Sequence, residues 1–379
     1  MKTEWERTTL GEIAEIVSGA TPKTSVGEYW GGGIPWVTPK ELSGLEGPSV
    51  ASTERTLTEA GLKSCAASLL PPQSVLLSSR APIGLVAIND VSMATNQGFK
   101  SLVPDDDRVD SKFLYWWLRH HRARLEAMGN GATFKEVSKK VVHGVTIDLP
   151  PIEEQRRIAA VLDVADTLRA KRRQALAKLD DLTQAVFVDI FGDPLHPDAE
   201  TVALVDTAEI VMGQSPPGDT YNEWGDGVPL LNGPAEFGDE CPVPVQWTTA
   251  PTRVSKAGDI LFCVRGATAG RLNWSDVSYC LGRGLAAIRT EAPRRAFLFH
   301  VLDALYSRFQ SRGVGSTFIN ISKADLQGVR VPAANSHLML QHEQAHSKMS
   351  AQRTVMQASL SRLDTLFASL QQRAFRGEL

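Results

Sequence analysis

Residues 129–140, GNGATFKEVSKK, recur at 313–324 as GVGSTFINISKA, with Gly, Gly, Thr, Phe, Ser and Lys at matched places 184 positions apart. The likeness extends well beyond this loop. LGEIAEIVSGATPK from Leu10 matches LVDTAEIVMGQSPP from Leu204, sharing Ala14/Ala208, Ile16/Ile210, Gly19/Gly213 and Pro22/Pro216. Trp30, Gly31, Gly33 and Pro35 recur as Trp224, Gly225, Gly227 and Pro229. VLLSSRAPIG at 75–84 matches ILFCVRGATAG at 260–270, which sets Arg80 opposite Arg265. Order is kept throughout, and the offset drifts only by short insertions. The chain is therefore a tandem duplication of about 185 residues. Such a chain has to fold as two versions of one unit, and 379 residues exceed one ordinary core.

Each copy has two parts. The first carries short β-branched runs, such as SVLLSS and GLVAIND, bounded by Gly, Pro and Asn turns. One amphipathic helix near SKFLYWWLRHHRARLEAM follows, which predicts an α+β domain. The second part is a long helix from PPIEEQRRIAAVLD to IFGD, with Pro151 suited to its first turn, Glu153 and Glu154 to its positive end and Gly192 to its stop. Ile158, Val161, Ala165, Leu168, Ala175, Leu179, Leu182 and Val186 follow the 3–4 spacing of a seam between paired helices. At 1.5 Å per residue the rod would be roughly 58 Å long, rarely stable alone. Its partner is the end of the chain, where Met349, Met356, Leu360, Leu363, Phe367 and Leu370 form a second seam and LDTL at 363 repeats LDDL at 179. The expected organisation is an α+β domain over 1–150, a helix over 151–192, a second α+β domain over 193–334 and a helix over 335–379. The two helices would pair antiparallel as a coiled-coil spacer, giving the chain a pseudo-two-fold internal repeat.

Composition narrows the function. The net charge of −3 alone argues against a nucleic-acid partner. Its distribution reverses that reading: 198–252 holds ten acids and no Lys or Arg, 253–330 holds twelve bases against five acids, and 112–140 holds seven against two. Gathered on one face, those basic stretches would hold a duplex; spread around helices, they are solvated surface. Cys65, Cys241, Cys263 and Cys280 show no CxxC spacing, which suggests buried thiols and neither a zinc knuckle nor a disulfide framework. No run reaches the eighteen or so apolar residues of a membrane span, and MKTEWERTTL lacks a signal-peptide core, so a cytoplasmic location is expected.

Catalytic motifs are missing from the sequence. DLPPI (148–152) and SPPG (215–218) only superficially resemble the [Asp/Asn]-Pro-Pro-[Tyr/Phe] loop with which adenine methyltransferases hold a flipped base. No glycine-rich AdoMet loop follows a strand, and no GxxxxGK[ST] phosphate cradle occurs. Pro104-Asp105 with Asp110-Ser111-Lys112 spells a compressed PD…DxK. Those carboxylates fall in a polar turn before a helix, with Asp110 placed as its N-cap. The second copy reads EAPRRAF there.

A duplicated α+β module, each copy followed by a long helix, resembles the specificity (S, HsdS) subunit of type I restriction-modification systems. The resemblance rests on PPIEEQRRIAAVLD at 150–163, RAFRGEL at 373–379, LGEIAEIVSG at 10–19 and the two G-x-G-[A/S]-T-F loops. It implies that each α+β part is a target recognition domain reading one half of a split double-stranded DNA sequence. It further implies that the helices set the gap and dock two modification (methyltransferase) subunits, with restriction/translocase subunits added for cleavage. AdoMet, Mg²⁺ and ATP would then belong to those partners, and this chain would not be an enzyme. Its second long helix departs from the pattern: PAANSHLMLQHEQ stands where Pro-Pro-x-x-Glu-Gln is expected, with Glu343-Gln344 about five residues out of register. The alternatives are a self-sufficient methyltransferase or nuclease fusion, and a structural adaptor that binds no DNA.

On the resemblance, the DNA-binding candidates divide into two kinds. Thr133 and Thr317 would donate to phosphate while Lys139 and Lys323 neutralise charge, contacts that fix register without reading sequence, and Lys135 is a further DNA-binding candidate. A reading in which Ser138 and Ser322 merely cap the next helix is equally open. Base reading falls to Arg80 and Arg265, forked donors for guanine, and to Asn96 and Gln97, which Gly282 and Arg283 replace in the second copy. Ile158, Leu162, Leu168, Leu179, Leu182, Leu360, Leu363 and Phe367 are the candidates for the spacer seam and subunit docking.

Overall fold

The computed structural model describes residues 5–45, 47–131, 135–193, 196, 200–311 and 319–379. The chain divides into two compact units, one of Met1–Arg173 with Ala358–Leu379 and one of Gln174–Gln357.

In the first unit a five-stranded sheet runs in the order Ala14–Ser18, Lys100–Pro104, Val75–Ser79, Ile83–Asn89 and Ser49–Val50. Val75–Ser79 is buried at every position, as its VLLSS sequence predicts for an inner strand. The second unit repeats the order as Glu209–Met212, Leu285–Arg289, Ile260–Cys263 and Leu272–Trp274. Each unit adds a second sheet around Trp30–Val37 or Val228–Leu231, which pairs in parallel with Ala94–Thr95 or Cys280–Leu281. A two-stranded ladder closes each head, Glu6–Thr9 on Thr146–Leu149 and Thr201–Ala203 on Arg330–Pro332. The duplication seen in sequence is thus a duplication of topology.

The helix Ser111–His120 covers the first sheet, and Asp110 caps it by accepting from the Phe113 N–H at 2.9 Å. Asp105 accepts from the Asp107 N–H, so the PD…DxK carboxylates do lie in a turn. The single helix expected through Met128 breaks at His121 and resumes over Arg122–Ala127. His121 Nδ1 lies 2.9 Å from Trp117 O, and the two rings stack at 4.1 Å. The Trp117 carbonyl also accepts from the His121 N–H at 3.0 Å, and the backbone leaves the helix at this residue with φ −92 and ψ 15.

Two long helices, Ile152–Phe191 and Ser336–Ala374, begin 184 positions apart. Pro151 sits just outside the first, where its carbonyl accepts from the N–H groups of Glu154 and Gln155. Gly192 ends it with φ +74, a conformation that favours glycine. In the first unit the start of one helix packs against the end of the other, so the two run antiparallel: Arg169 Nε donates to Asp364 Oδ1 at 2.6 Å, and Ile158, Leu162 and Phe367 share one core. In the second unit Arg353 pairs with Asp180, and the Thr183 hydroxyl reaches Met349 Sδ at 3.5 Å. Arg169 and Arg353 are repeat equivalents, as are Asp364 and Asp180, so one ion pair is built twice.

The seam is narrower than the 3–4 count predicts. Leu179, Leu360 and Leu363 are half-buried, but Leu168 and Leu182 remain 49% and 52% exposed. Arg169 takes the inner place beside Leu168, with its guanidinium 4.2 Å from the Phe367 ring centroid. The leucine is left on the outer shoulder.

Candidate nucleic-acid interface

Arg80 ends the strand Val75–Ser79, and Arg265 follows Ile260–Cys263 at the equivalent place. Backbone bonds fix both in one way. The Val137 N–H donates to Ser79 O at 3.0 Å and the Ile321 N–H to Val264 O at 2.8 Å, which tie each arginine to the chain leaving the repeated loop. Each arginine then bridges to the residue at the neck of that loop, Arg80 to Glu136 and Arg265 to Asn320. The residue after each has positive φ, Ala81 at +47 and Gly266 at +81; the alanine bears a strain that glycine avoids.

The two necks differ in charge. Arg80 Nη1 stands 3.7 Å from Glu136 Oε2, while the mostly buried Lys100 donates to Glu136 Oε1 at 3.1 Å. In the second copy Asn320 replaces the carboxylate and accepts from Arg265 Nε at 3.0 Å, and strand register sets Ala286 where Lys100 stands. One acid and one base are thus lost together, and the cluster around each arginine keeps one surplus positive charge, to which Lys135 adds another in the first copy only, where Ile319 is its counterpart. Arg265 is exposed on an open groove that it shares with Gly266, Ile319 and Asn320. With Nε held, its two terminal nitrogens are available for a bidentate contact.

A turn beside each arginine carries the residues that differ between copies. The Ser79 N–H donates to Gly98 O at 2.7 Å, and the Val264 N–H to Gly284 O at 2.9 Å. Asn96 uses its Oδ1 to accept from the Gly98 N–H at 2.8 Å, so half of its amide shapes the turn. Gln97 is exposed and accepts from the Thr21 hydroxyl; Arg283 is exposed, with its backbone N–H on Ser215 Oγ at 3.4 Å. The recurrence of Gly19 as Gly213 follows from this turn, because a Cβ would lie 2.0 Å from Asn96 O in one copy and 2.1 Å from Gly282 O in the other.

Thr133 and Thr317 lie outside the described residues. Lys135 is exposed at the loop neck. Lys139 and Lys323 are exposed as the first residues of the short helices Lys139–His143 and Lys323–Gln327, which Ser138 and Ser322 cap by accepting from the N–H groups of Val141 and Asp325. Capping explains the repeated serines, and the lysines remain free to meet an anion.

Two features escaped sequence reasoning. Trp224 is 80% exposed, whereas its counterpart Trp30 lies under the Arg55 guanidinium at 3.6 Å and edge-on to Trp36. Gln155 is fully buried: its Oε1 accepts from the Asp110 N–H at 2.9 Å and its Nε2 donates to Arg108 O at 2.9 Å and Pro150 O at 2.8 Å. That glutamine clamps the first helix onto its head, a role its place in PPIEEQ does not reveal. Glu343 does related work in the second unit, accepting from the Ala296 N–H at 3.2 Å.

Two α+β heads with repeated topology, each bearing an arginine, a variable turn and a loop neck and each followed in sequence by a long helix, define a duplicated α+β protein. Residues 2–178 match the family model of the type I restriction modification DNA specificity domain. The MjaIX specificity subunit of Methanocaldococcus jannaschii is 36% identical over 192 residues, 50% of this chain and 44% of that protein. The putative MjaX specificity subunit of the same organism is 30% identical over 287 residues, 68% of this chain and 66% of that protein. The chain thus spans between less than half and about two-thirds of these relatives. A solved chain from work on complex assembly and conformational transition of the type I R-M system is similar with a TM-score of 0.60 at 26% identity, covering 99% of this chain and 98% of that one. The chain belongs to the family of type I restriction-modification DNA specificity subunits.

Proposed function

We propose that this chain is the sequence-specific DNA-binding subunit of a type I restriction-modification complex, each head reading one half of a bipartite duplex target. The observation that carries this reading is the repeated constellation itself. Arg80 and Arg265 are held by the same backbone bonds in both heads, beside turns that read Asn96-Gln97 in one and Gly282-Arg283 in the other. A constant frame with variable tips is what two half-sites of different sequence require.

The long helices set the gap between half-sites and dock two modification subunits. Leu182 and its repeat equivalent Leu366 are each 52% exposed, and Val164, Leu168 and Val355 add apolar surface along the same helices. The chain performs no chemistry by itself; AdoMet, Mg²⁺ and ATP are bound by modification and restriction partners. No helix among the described residues is long and apolar enough to cross a membrane, and the complex works in the cytoplasm.

Incubating the purified chain with duplex DNA and labelled AdoMet, with and without its modification subunit, tests the division of labour. Methyl transfer should need the partner. Transfer by the chain alone would make it an enzyme, and DNA binding that ignores salt would favour the adaptor reading.

A further inference from the structure

Within the second unit a cavity of about 410 Å³ lies between the helix Arg294–Ala304, the strand Leu272–Trp274 and the halves of the long helices belonging to that unit. Its counterpart in the first unit occupies the equivalent place and has the opposite charge. There Arg119, Arg122, Arg169 and Arg173 line the cavity with one acid, Asp166, while Asp364 pairs with Arg169 and Arg173 and Glu126 with Arg122 from outside the lining. The second-unit cavity has Asp180, Asp181, Asp239, Glu240 and Asp303 against one base, Arg353. Arg353 is already paired with Asp180 and, at 3.0 Å, with Glu240.

The first unit shows what such a place holds. Arg119 bonds the Tyr115 hydroxyl at 2.7 Å, and its guanidinium carbon stands 5.4 Å from the Tyr115 ring centroid and 5.1 Å from that of Trp116. A cation from the chain itself thus lies over an aromatic wall. In the second copy Phe299, His300 and Asp303 replace Tyr115, Trp116 and Arg119. The aromatic wall persists, with Phe299 stacked on Trp274 at 4.5 Å, but the cation has become a carboxylate. His300, 8% exposed and lining the cavity, has an Nε2 without a hydrogen-bond partner among the described residues. A neutral imidazole with its proton on Nδ1 offers an acceptor there.

We propose that this cavity binds a guanidinium or primary ammonium group supplied from outside the chain, held by Asp303 and His300 against the Phe299–Trp274 wall. Carboxylates, an imidazole acceptor and an aromatic face together match a cation that has both N–H donors and a flat or alkyl body. A bare metal ion fits less well, because no three described side chains converge with metal-ligand geometry. The group comes either from a free small cation or from an Arg or Lys side chain of a bound polypeptide.

Isothermal titration of the full chain with agmatine, which carries both groups, tests the assignment. Saturable one-to-one binding is expected, weakened roughly tenfold by Asp303→Asn, what losing a charge-assisted hydrogen bond costs. Asp303 is exposed as a residue, yet burial of its carboxyl raises its pKa, so neutralising it should not lower the thermal midpoint, and Arg119→Ala in the first unit should not affect the titration. If agmatine still binds the complex with the modification subunit, the source is a free cation; if complex formation blocks it, the group comes from the polypeptide. No saturable heat by about 10 mM, or binding that Asp303→Asn leaves unchanged, overturns the proposal.

Discussion

Arg265 donates through Nε to Asn320 Oδ1 at 3.0 Å, and that bond holds the guanidinium without neutralising it. Arg80 at the equivalent place faces Glu136, whose charge Lys100 offsets from the other side. The two arginines therefore sit in clusters of the same net charge that are built through different chemistry.

Arg265→Ala should weaken binding to the specific site by about 1–3 kcal/mol and relax preference at a position of one half-site only. Fluorescence anisotropy on matched and mismatched duplexes measures this, with the melting midpoint as a check on folding. Equal loss on every sequence would make Arg265 a backbone contact.

Lys139→Ala and Lys323→Ala should each weaken binding on all duplexes alike. Each should also lower the slope of log affinity against log salt by about 0.9, the value of one phosphate contact. A loss confined to one sequence would assign these lysines to base reading.

Gln155→Leu keeps the volume but leaves the Asp110 N–H and the carbonyls of Arg108 and Pro150 without their partner. Unfolding in urea should show a loss of about 2–4 kcal/mol, since each buried orphan costs of the order of 1–3 kcal/mol with partial relaxation. A change within about 0.5 kcal/mol would show that the clamp contributes little.

Acid should destabilise the second unit through its buried histidines. Burial, reinforced by the other imidazoles, pushes His300 down to about 3; burial and His346 push His342 down to about 4. Both are neutral in the fold but take up protons on unfolding below their ordinary value of 6.5. Stability is thus full above about pH 6.5 and falls as pH descends towards 4 and then 3. Glu343, beside His346, opposes the shift of that residue only. Hydrogen exchange between pH 7 and 4.5 should show protection lost from the second unit, and His342→Ile, which copies Ile158 of the first unit, should flatten the dependence. An identical pH profile in that variant would contradict this account.

The duplication, the inner strands and the ends of the first long helix were legible because each depends on local pattern: the VLLSS run, the Asp110 cap, Gly192 past the helix stop. Leu168 and Leu182 misled because 3–4 spacing marks a face without saying which shoulder of it meets the neighbour. Arg169, with Asp364 for an ion partner and Phe367 for a surface, claims the inner place from 195 positions away in sequence. Gln155 and the Lys100–Glu136 pair were hidden for the same reason, since their partners lie 36 to 47 positions off. The opposed charges of the two cavities arise only when the copies are superposed residue on residue.

Methylation mapping of a genome in a host that expresses this chain with its modification subunit tests the central claim most directly. Two short half-sites of different sequence, separated by a gap of constant length, are the predicted result, with Arg265→Ala degrading one half alone. A single continuous motif, or methylation unaltered when this chain is deleted, would contradict it.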